Sequence, residues 1–185
     1  MTDITNYGDW AITFQQNYDR AIIRYRSGAR DATTSFPDAD VKFLRSIGCT
    51  PHELHDFVED WCDDGVPTFE TVLQITAIQR EYFLKERQGQ PSTKTTPISS
   101  FPGMNEKLGG YRWLPRIIAK ARAKLRGELP KELMYNCGGD RQFLKMVKLK
   151  APEFLKVVWE SGSNDLKILE YVQKNGNPPD ASITN

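Results

Sequence analysis

The stretch LGGYRWLPRIIAKARAKLRGELPKELMYNCGGDRQFL, residues 108–144, decides the fold class of this chain. Its apolar residues recur at three- and four-residue steps: Leu114, Ile117, Ile118, Ala121 and Leu125. That spacing is the period of an α-helix with one buried face, and it differs from the two-residue alternation of a strand. The stretch therefore predicts an amphipathic, basic helix over 114–127, followed by a polar turn over 135–139 and a short helix.

The same helical spacing runs through the other apolar segments of the chain. The clearest helix start is Thr50-Pro51-His52-Glu53, which combines an N-cap threonine, a proline in the first turn and the glutamate of a capping box. Gly65 marks the end of that helix. Because no β-branched run alternates with polar residues, we assign no strand and predict an all-α fold.

Residues 88–106, QGQPSTKTTPISSFPGMNE, change abruptly to proline, serine, threonine and glycine. Such a composition is typical of a linker or an extended arm. It predicts a first helical unit over 1–87, a second over 107–176 and a flexible tail over 177–185. Units this small are marginal by themselves, so we expect the two to pack together.

The two predicted units align with each other without gaps at an offset of 100 residues. The identical pairs are Ala21 and Ala121, Arg26 and Arg126, Asp40 and Asp140, Phe43 and Phe143, Leu44 and Leu144, Glu53 and Glu153, and Val58 and Val158. The order of these pairs and the shared Asp-x-x-Phe-Leu motif indicate a tandem duplication. Residues 8–85 are then a diverged copy of the second unit.

Composition is that of an ordinary soluble protein. Of the 185 residues, 39% are apolar and 26% are charged, which is the usual balance of a globular domain. No apolar run reaches the roughly 18 residues of a membrane helix, and the first residues show no secretory signal. Cys49, Cys62 and Cys137 are odd in number and form no CxxC pair. We therefore expect reduced thiols, a cytoplasmic location and no membrane.

The net charge of +1 conceals a segregation of charge along the chain, because residues 50–70 contain seven carboxylates and no lysine or arginine. The predicted acidic surface consists of Asp56, Glu59, Asp60 and Asp63. The predicted basic surface consists of Arg112, Arg116, Lys120 and Lys124. The two surfaces can neutralise each other within the molecule or an oligomer, or contact a protein partner, and the basic one can bind RNA phosphates. A net charge near zero disfavours a dedicated nucleic-acid binder.

Two short segments contain candidate ligand-binding residues. Gly109-Gly110, with Arg116 nearby, can hold an anion on free backbone N–H groups or can simply form a turn. The polar turn supplies Tyr135, Asn136, Cys137 and Asp140. Cys137 has no histidine in its own unit to act as a base, and Asp140 fits the N-cap of the short helix that follows. A small-molecule site here is therefore an alternative to a structural loop.

His52, His55 and Glu59 are predicted to share one exposed face of the helix that begins at Thr50. Imidazole and carboxylate groups are metal ligands, but a site needs a further ligand beyond these three. The HELH spacing differs from HExxH, which excludes the metalloprotease motif. The identity of a metal is left open, and no cofactor is predicted.

A set of motifs in the second unit carries a family resemblance. These residues are Leu108-Gly109-Gly110, Leu114-Pro115-Arg116, Lys120, Arg122, Leu125, Gly127, Leu129, Tyr135-Asn136, Asp140, Phe143-Leu144, Ile168-Leu169 and Tyr171-Val172. With them, residues 108–176 resemble a bacterial domain-of-unknown-function family, in which LGG and LPR precede a basic helix closed by glycine. The resemblance implies an all-helical domain without an assigned activity. Ala119 departs from the family, which commonly has an acidic residue there, and the equivalent residue of the first unit is Asp19.

Together these patterns favour a non-catalytic protein-interaction or scaffold module that uses the acidic and basic surfaces. A degenerate pair of copies suits a scaffold better than two working sites. One alternative is a small-molecule or anion-binding domain, or an enzyme, centred on 109–116 and 135–140. A second alternative is RNA binding through the basic helix 114–127. We expect a protein partner or self-association and do not favour nucleic acid.

Overall fold

The computed structural model describes residues 4–32 and 36–179. The chain divides into two compact units, Met1–Thr93 and Lys94–Asn185. The boundary between them falls inside the stretch predicted to be a linker. Most of the flexible tail predicted for 177–185 lies outside the described residues.

The described residues of the first unit form a 3-10 turn, Ile4–Tyr7, and four α-helices: α1 Asp9–Arg26, α2 Asp38–Ser46, α3 Pro51–Asp64 and α4 Phe69–Lys85. Helix α3 begins at the predicted capping box, in which the Thr50 hydroxyl accepts from the Glu53 backbone and the Glu53 carboxylate accepts from the Thr50 backbone. It ends at Gly65, whose φ of 72° is left-handed. Helices α1 and α3 pack against each other, with the Tyr25 ring edge-on to His55. Phe14 and Tyr18 of α1 contact Phe69 of α4, and Leu54, Phe57 and Val58 of α3 are buried.

As far as residue 179, the second unit contains a 3-10 turn, Ile98–Ser100, then two short strands and four α-helices. The helices are α5 Leu114–Arg126, α6 Gly138–Met146, α7 Ala151–Ser161 and α8 Asp165–Asn175. Helix α5 packs on α7, which also packs on α8. The buried residues of α5 lie on most sides of the helix, so it is the centre of this unit. In the part of the chain that the structure describes, no helix has the length and apolar character needed to cross a bilayer.

The two strands are β1 Lys107–Leu108 and β2 Tyr111–Arg112, which pair antiparallel. Gly109 and Gly110 connect them with φ values of 57° and 87°, and a two-residue hairpin turn of this kind requires positive φ at both positions. The expectation of no strand was wrong here because two-residue strands are too short to show alternation. The all-α class itself is confirmed, since helices make up most of the structure.

Residues 94–106, the later part of the predicted linker, are attached to the second unit. The backbone N–H of Thr96 donates to the Glu128 carbonyl at 2.8 Å, and the Phe101 side chain is buried. Only the segment between α4 and Lys94 therefore acts as a connector. The later residues are held in place because they bury an aromatic ring and pair a backbone group.

The helix bounds of the two units correspond closely at the offset found in the sequence. Helix α2 spans 38–46 and α6 spans 138–146, while α3 begins at residue 51 and α7 at residue 151. After both short helices the backbone turns through a left-handed residue, Gly48 or Lys148.

Candidate functional site

The most connected polar group of the second unit is the carboxylate of Asp140, which is fully buried. Its Oδ2 atom accepts from Lys120 Nζ at 2.6 Å and from the Asn136 backbone N–H at 2.8 Å, and Oδ1 accepts from Trp113 Nε1 at 2.9 Å. Lys120 Nζ also lies 3.2 Å from Cys137 Sγ. We call these five residues, Trp113, Lys120, Asn136, Cys137 and Asp140, the Asp140 cluster.

The local backbone explains how distant residues reach Asp140. Trp113 precedes α5 with a φ of 75°, and Asn136 precedes α6 with a φ of 69°. The indole of Trp113 lies over Gly139, where an added Cβ would come within 2.5 Å of the ring. A left-handed turn at each helix start and a bare glycine on α6 therefore allow α5 and α6 to approach closely at this end.

Asp140 is not the N-cap that the sequence predicted. Helix α6 has Cys137 at its N-cap and shows no side-chain cap bond there. Asp140 lies in the first turn. Its Oδ2 atom accepts from both the Asn136 backbone N–H and Lys120 Nζ, and its Oδ1 atom accepts from Trp113 Nε1. Asp40 is likewise not an N-cap, since its helix has Pro37 at that position without a side-chain bond.

The predicted basic surface is wrong for two of its four residues. Lys120 and Lys124 are each only 1% exposed, because α5 is surrounded on most sides and Lys120 is paired with Asp140. Arg116 is half-buried and donates to the Pro102 carbonyl at 2.7 Å. Arg112 is the one member that is exposed, and it bonds to Asn105. These four cations therefore do not form one continuous surface.

Cys137 and Tyr135 show how the polar turn is held. The Cys137 thiol is free and partly exposed, with the Lys120 ammonium as its charged neighbour. Tyr135 is buried, and its hydroxyl donates to the Ala151 carbonyl at 2.7 Å. Burial, with a smaller contribution from the Asp140 charge, raises the pKa of Tyr135 well above its usual value. Tyr135 therefore stays protonated and serves to fix the start of α7.

Gly109-Gly110 and Arg116 do not meet at an anion site. The glycine pair closes the hairpin four residues before α5 begins, so it offers no helix N-terminus. A Cβ on Gly109 would approach Leu169 to 2.4 Å, which shows that the turn is closely covered by α8. The structural-turn interpretation of this pair therefore fits the geometry better than the anion-binding one.

Asn136 Nδ2 is a buried donor with no hydrogen-bond partner among residues 4–32 and 36–179. Leaving such a donor unpaired costs on the order of 1–3 kcal/mol. Within the Asp140 cluster, Asn136 Nδ2 is the buried side-chain nitrogen that has no partner among the described residues.

In the first unit Asp40 takes the place that Asp140 has in the second. Its carboxylate accepts from Arg20 at 2.7 Å and from Arg24 at 3.1 Å. Burial acts to raise the pKa of Asp40, but the hydrogen bonds and charges of Arg20 and Arg24 outweigh it and lower the pKa. The arginines are partly exposed, so this tie between α1 and α2 is more hydrated than the Lys120–Asp140 pair.

The predicted acidic residues lie along α3. Glu59 and Asp63 are exposed, while Asp56 and Asp60 are half-buried. The Tyr25 hydroxyl donates to Asp63 at 2.7 Å and contacts Glu59 at 3.3 Å. Burial and the bond to Asp63 raise the pKa of Tyr25 to about 12. This tyrosine therefore holds the two carboxylates in a fixed position.

The predicted metal candidates are arranged differently from the sequence expectation. His55 is only 7% exposed, so it does not lie on an exposed face with His52. The ligand atoms of His55, Asp56 and Glu59 lie within 4.8 Å of one another, and His52 Nε2 is 3.6 Å from Asp56 Oδ1. The sequence analysis assigned Asp56 to the acidic surface alone. Its position next to His55 in the sequence was the signal that could have added it to the metal candidates. Burial lowers the pKa of His55 against the opposing effect of Glu59.

The second unit is thus a small helical domain built round a buried lysine–aspartate pair. Its residues match a described family: residues 97–184 fit the model of a domain of unknown function, DUF5069. The resemblance drawn from the sequence is confirmed to this extent. Comparison with curated proteins and with solved structures gave no match.

Proposed function

We propose that this chain is a non-catalytic protein-interaction module whose basic contact surface consists of Lys145, Lys148 and Lys150. These three lysines lie at the end of α6 and in the turn that leads to α7, and all are exposed. Among residues 4–32 and 36–179, none of the three forms an ion pair. This exposed group of like charges is the observation that carries the proposal. It offers the basic contact surface that the buried lysines of α5 cannot form.

The backbone at Lys148 adds a second support. Its φ of 56° is left-handed, a conformation that costs a non-glycine residue roughly 1–2 kcal/mol. The equivalent residue of the first unit is Gly48, for which the conformation is not strained. A lysine at a position that favours glycine is a backbone outlier, and such outliers are typical of residues with a role beyond stability.

The chemistry of the Asp140 cluster fits a non-catalytic role. All the charges at its centre are used in internal bonds, since Asp140 accepts from three donors and Lys120 serves as one of them. Both histidines of the chain belong to the first unit, so Cys137 has no imidazole base in its own unit.

The partner that fits this surface is an acidic protein surface. Exposed lysines gain most from a partner with complementary charge, which speeds association and selects against basic partners. The acidic residues of α3 in a second copy are one such surface, so self-association is one form that the interaction can take. RNA binding loses support because Lys120 and Lys124, two of the cations it required, are buried.

Asn136 supports one alternative, a small-molecule site beside the Asp140 cluster. Its unpaired Nδ2 donor would suit a ligand with a carbonyl or carboxylate oxygen. The alternative ranks second because one donor with a neighbouring thiol does not define a substrate.

We also infer a tandem duplication and a cytoplasmic location. The corresponding helix bounds and the equivalent ties of Asp40 to Arg20 and of Asp140 to Lys120 support the duplication. None of the three cysteines forms a disulfide among the described residues, which supports a reducing compartment.

The proposal is tested with a charge-reversed variant, Lys145→Glu/Lys148→Glu/Lys150→Glu, immobilised beside the wild-type chain. We expect the wild-type chain to retain a defined acidic partner or a second copy of itself at low salt, and the variant to lose it. Retention should also weaken as salt rises, because exposed charge contacts are screened.

A matched control reverses three other exposed lysines of the same unit, Lys156→Glu/Lys167→Glu/Lys174→Glu. This variant has the same net charge as the first but keeps the proposed surface. It should bind as the wild-type chain does. Equal loss in both variants would mean that net charge, and not the surface at 145–150, governs binding, and equal retention in both would contradict the proposal.

A further inference from the structure

The face of α3 that contains His55 has features that neither the interaction surface nor the Asp140 cluster explains. His55 Nε2 is a buried atom with no hydrogen-bond partner among residues 4–32 and 36–179. An imidazole nitrogen left without a partner in a buried place destabilises the folded chain. Such an atom indicates that something else binds there.

Two carboxylates converge on the same place. The ligand atoms of His55, Asp56 and Glu59 all lie within 4.8 Å of one another. Residues at positions i, i+1 and i+4 of one helix meet in this way only when the side chain at i+1 turns toward the others. In a tetrahedral site with bonds of about 2.1 Å, donors on one zinc ion lie about 3.4 Å apart. From separations within 4.8 Å, the side chains need to close by up to about 1.4 Å, which rotation about their own bonds supplies.

Outer contacts hold two of these ligands in position. His52 Nε2 lies 3.6 Å from Asp56 Oδ1, and the Tyr25 hydroxyl contacts Glu59 Oε1 at 3.3 Å. The Tyr25 ring also packs edge-on against the His55 imidazole, with 5.7 Å between ring centroids. Outer-shell partners of this kind orient metal ligands in known sites.

The charge around the cluster favours a cation. Asp63 adds a third carboxylate through its bond to Tyr25. Arg30 is stacked on the Tyr25 ring at 3.7 Å from its centroid, and its Nη1 atom lies 3.9 Å from Asp63 Oδ1, so its charge offsets that of Asp63. At the equivalent positions of the second unit the chain has Leu155, Lys156 and Trp159, none of which can form such a site.

From these observations we propose that His55, Asp56 and Glu59 bind a divalent transition-metal ion of the zinc type, with His52 as an outer partner of Asp56. One nitrogen and two oxygen ligands leave at least one coordination position for water. The donor set suits zinc, cobalt or nickel better than magnesium or calcium, which prefer oxygen ligands alone. The site lies in the first unit, outside the residues that match the domain of unknown function.

The test is equilibrium dialysis of the full chain against Zn²⁺ at neutral pH, with thermal unfolding in parallel. The wild-type chain is expected to bind one zinc ion and to unfold at a higher temperature with zinc than with a chelator, because an ion that binds only the folded state stabilises it. Glu59→Gln and His55→Leu should each weaken binding by at least about tenfold. The equivalent residue of the second unit is Leu155, so a leucine at position 55 should pack in the buried space that the imidazole occupies.

Two controls separate this site from adventitious binding. Asp64→Asn removes an exposed carboxylate of the same helix outside the cluster, and it should leave the affinity within about twofold, as distant surface charges do. His52→Gln should weaken binding by about tenfold without abolishing it, as outer partners do. With Co²⁺ as the probe, the absence of a thiolate-to-cobalt band would exclude binding by Cys49, Cys62 or Cys137. A chain that binds no zinc, or a Glu59→Gln variant that binds as tightly as wild type, would overturn the proposal.

Discussion

The Lys120–Asp140 pair is the contact at which single residues matter most for this protein. Both side chains are almost fully buried, and their N–O distance is 2.6 Å. Lys120→Met leaves a buried carboxylate without its counter-charge, so we expect a loss of about 3–5 kcal/mol in the free energy of unfolding. The measurement is urea denaturation at neutral pH.

A double variant separates the effect of the unpaired Asp140 charge from the effect of lost packing. In Lys120→Met/Asp140→Asn both charges are absent, so the double variant should be more stable than Lys120→Met alone. Lys145→Met, at an exposed lysine, should change stability by no more than about 0.5 kcal/mol. If the double variant is no more stable than Lys120→Met, the unpaired Asp140 carboxylate is not what destabilises Lys120→Met.

Inspection of the sequence predicted the helix that contains Lys120 but not the direction of its side chain. Lys124 follows Ile117 by seven residues, two helical turns, so its spacing already placed it beside the apolar face. Lys120 faces inward because its counter-charge, Asp140, comes from another helix. An amphipathic pattern assigns charged residues to the solvent-exposed face of a helix. It cannot reveal a counter-charge that lies twenty residues away in the sequence and is brought near by folding.

At the scale of helices, signals that act within a few residues were predictable. The Thr50–Glu53 capping box and Gly65 fix the ends of α3 through local backbone bonds, and both were visible in the sequence. The hairpin at 107–112 was not, because its strands are two residues long. The grouping of Asp56 with His55 was also missed, since it depends on side-chain rotation and on the burial of His55.

The junction of α5 and α6 depends on close approach at one glycine. Gly139→Ala would place a Cβ 2.5 Å from the Trp113 ring, and Trp113 is held by its bond to Asp140. Because the indole cannot move freely, we expect a loss of about 1–3 kcal/mol in the free energy of unfolding. Thermal or urea unfolding followed by circular dichroism measures it.

The adjacent glycine provides the matched control for that junction. A Cβ on Gly138 meets only Arg141 Nη2, at 3.9 Å, and α6 already includes this residue. Gly138→Ala should therefore be neutral or stabilise the chain by up to about 1 kcal/mol, through a smaller entropy loss on folding. If both substitutions destabilise equally, a general intolerance of this turn, and not contact with Trp113, is the reason.

For the molecule as a whole, the division into two units predicts where a protease cuts first. Helix α4 ends at Lys85, and the first backbone bond that anchors the chain to the second unit is that of Thr96. Proteases need an extended, accessible segment, and exposed connectors without buried contacts supply one. We therefore expect brief trypsin treatment to cut after Arg87 or Lys94 and to leave two fragments that resist further digestion. Mass spectrometry of early time points identifies the sites.

The variant Arg87→Gln/Lys94→Gln removes both cleavage sites and should keep the full-length chain intact for longer. First cuts inside α5–α8, or equal digestion rates for the variant and the wild-type chain, would contradict the division at this connector.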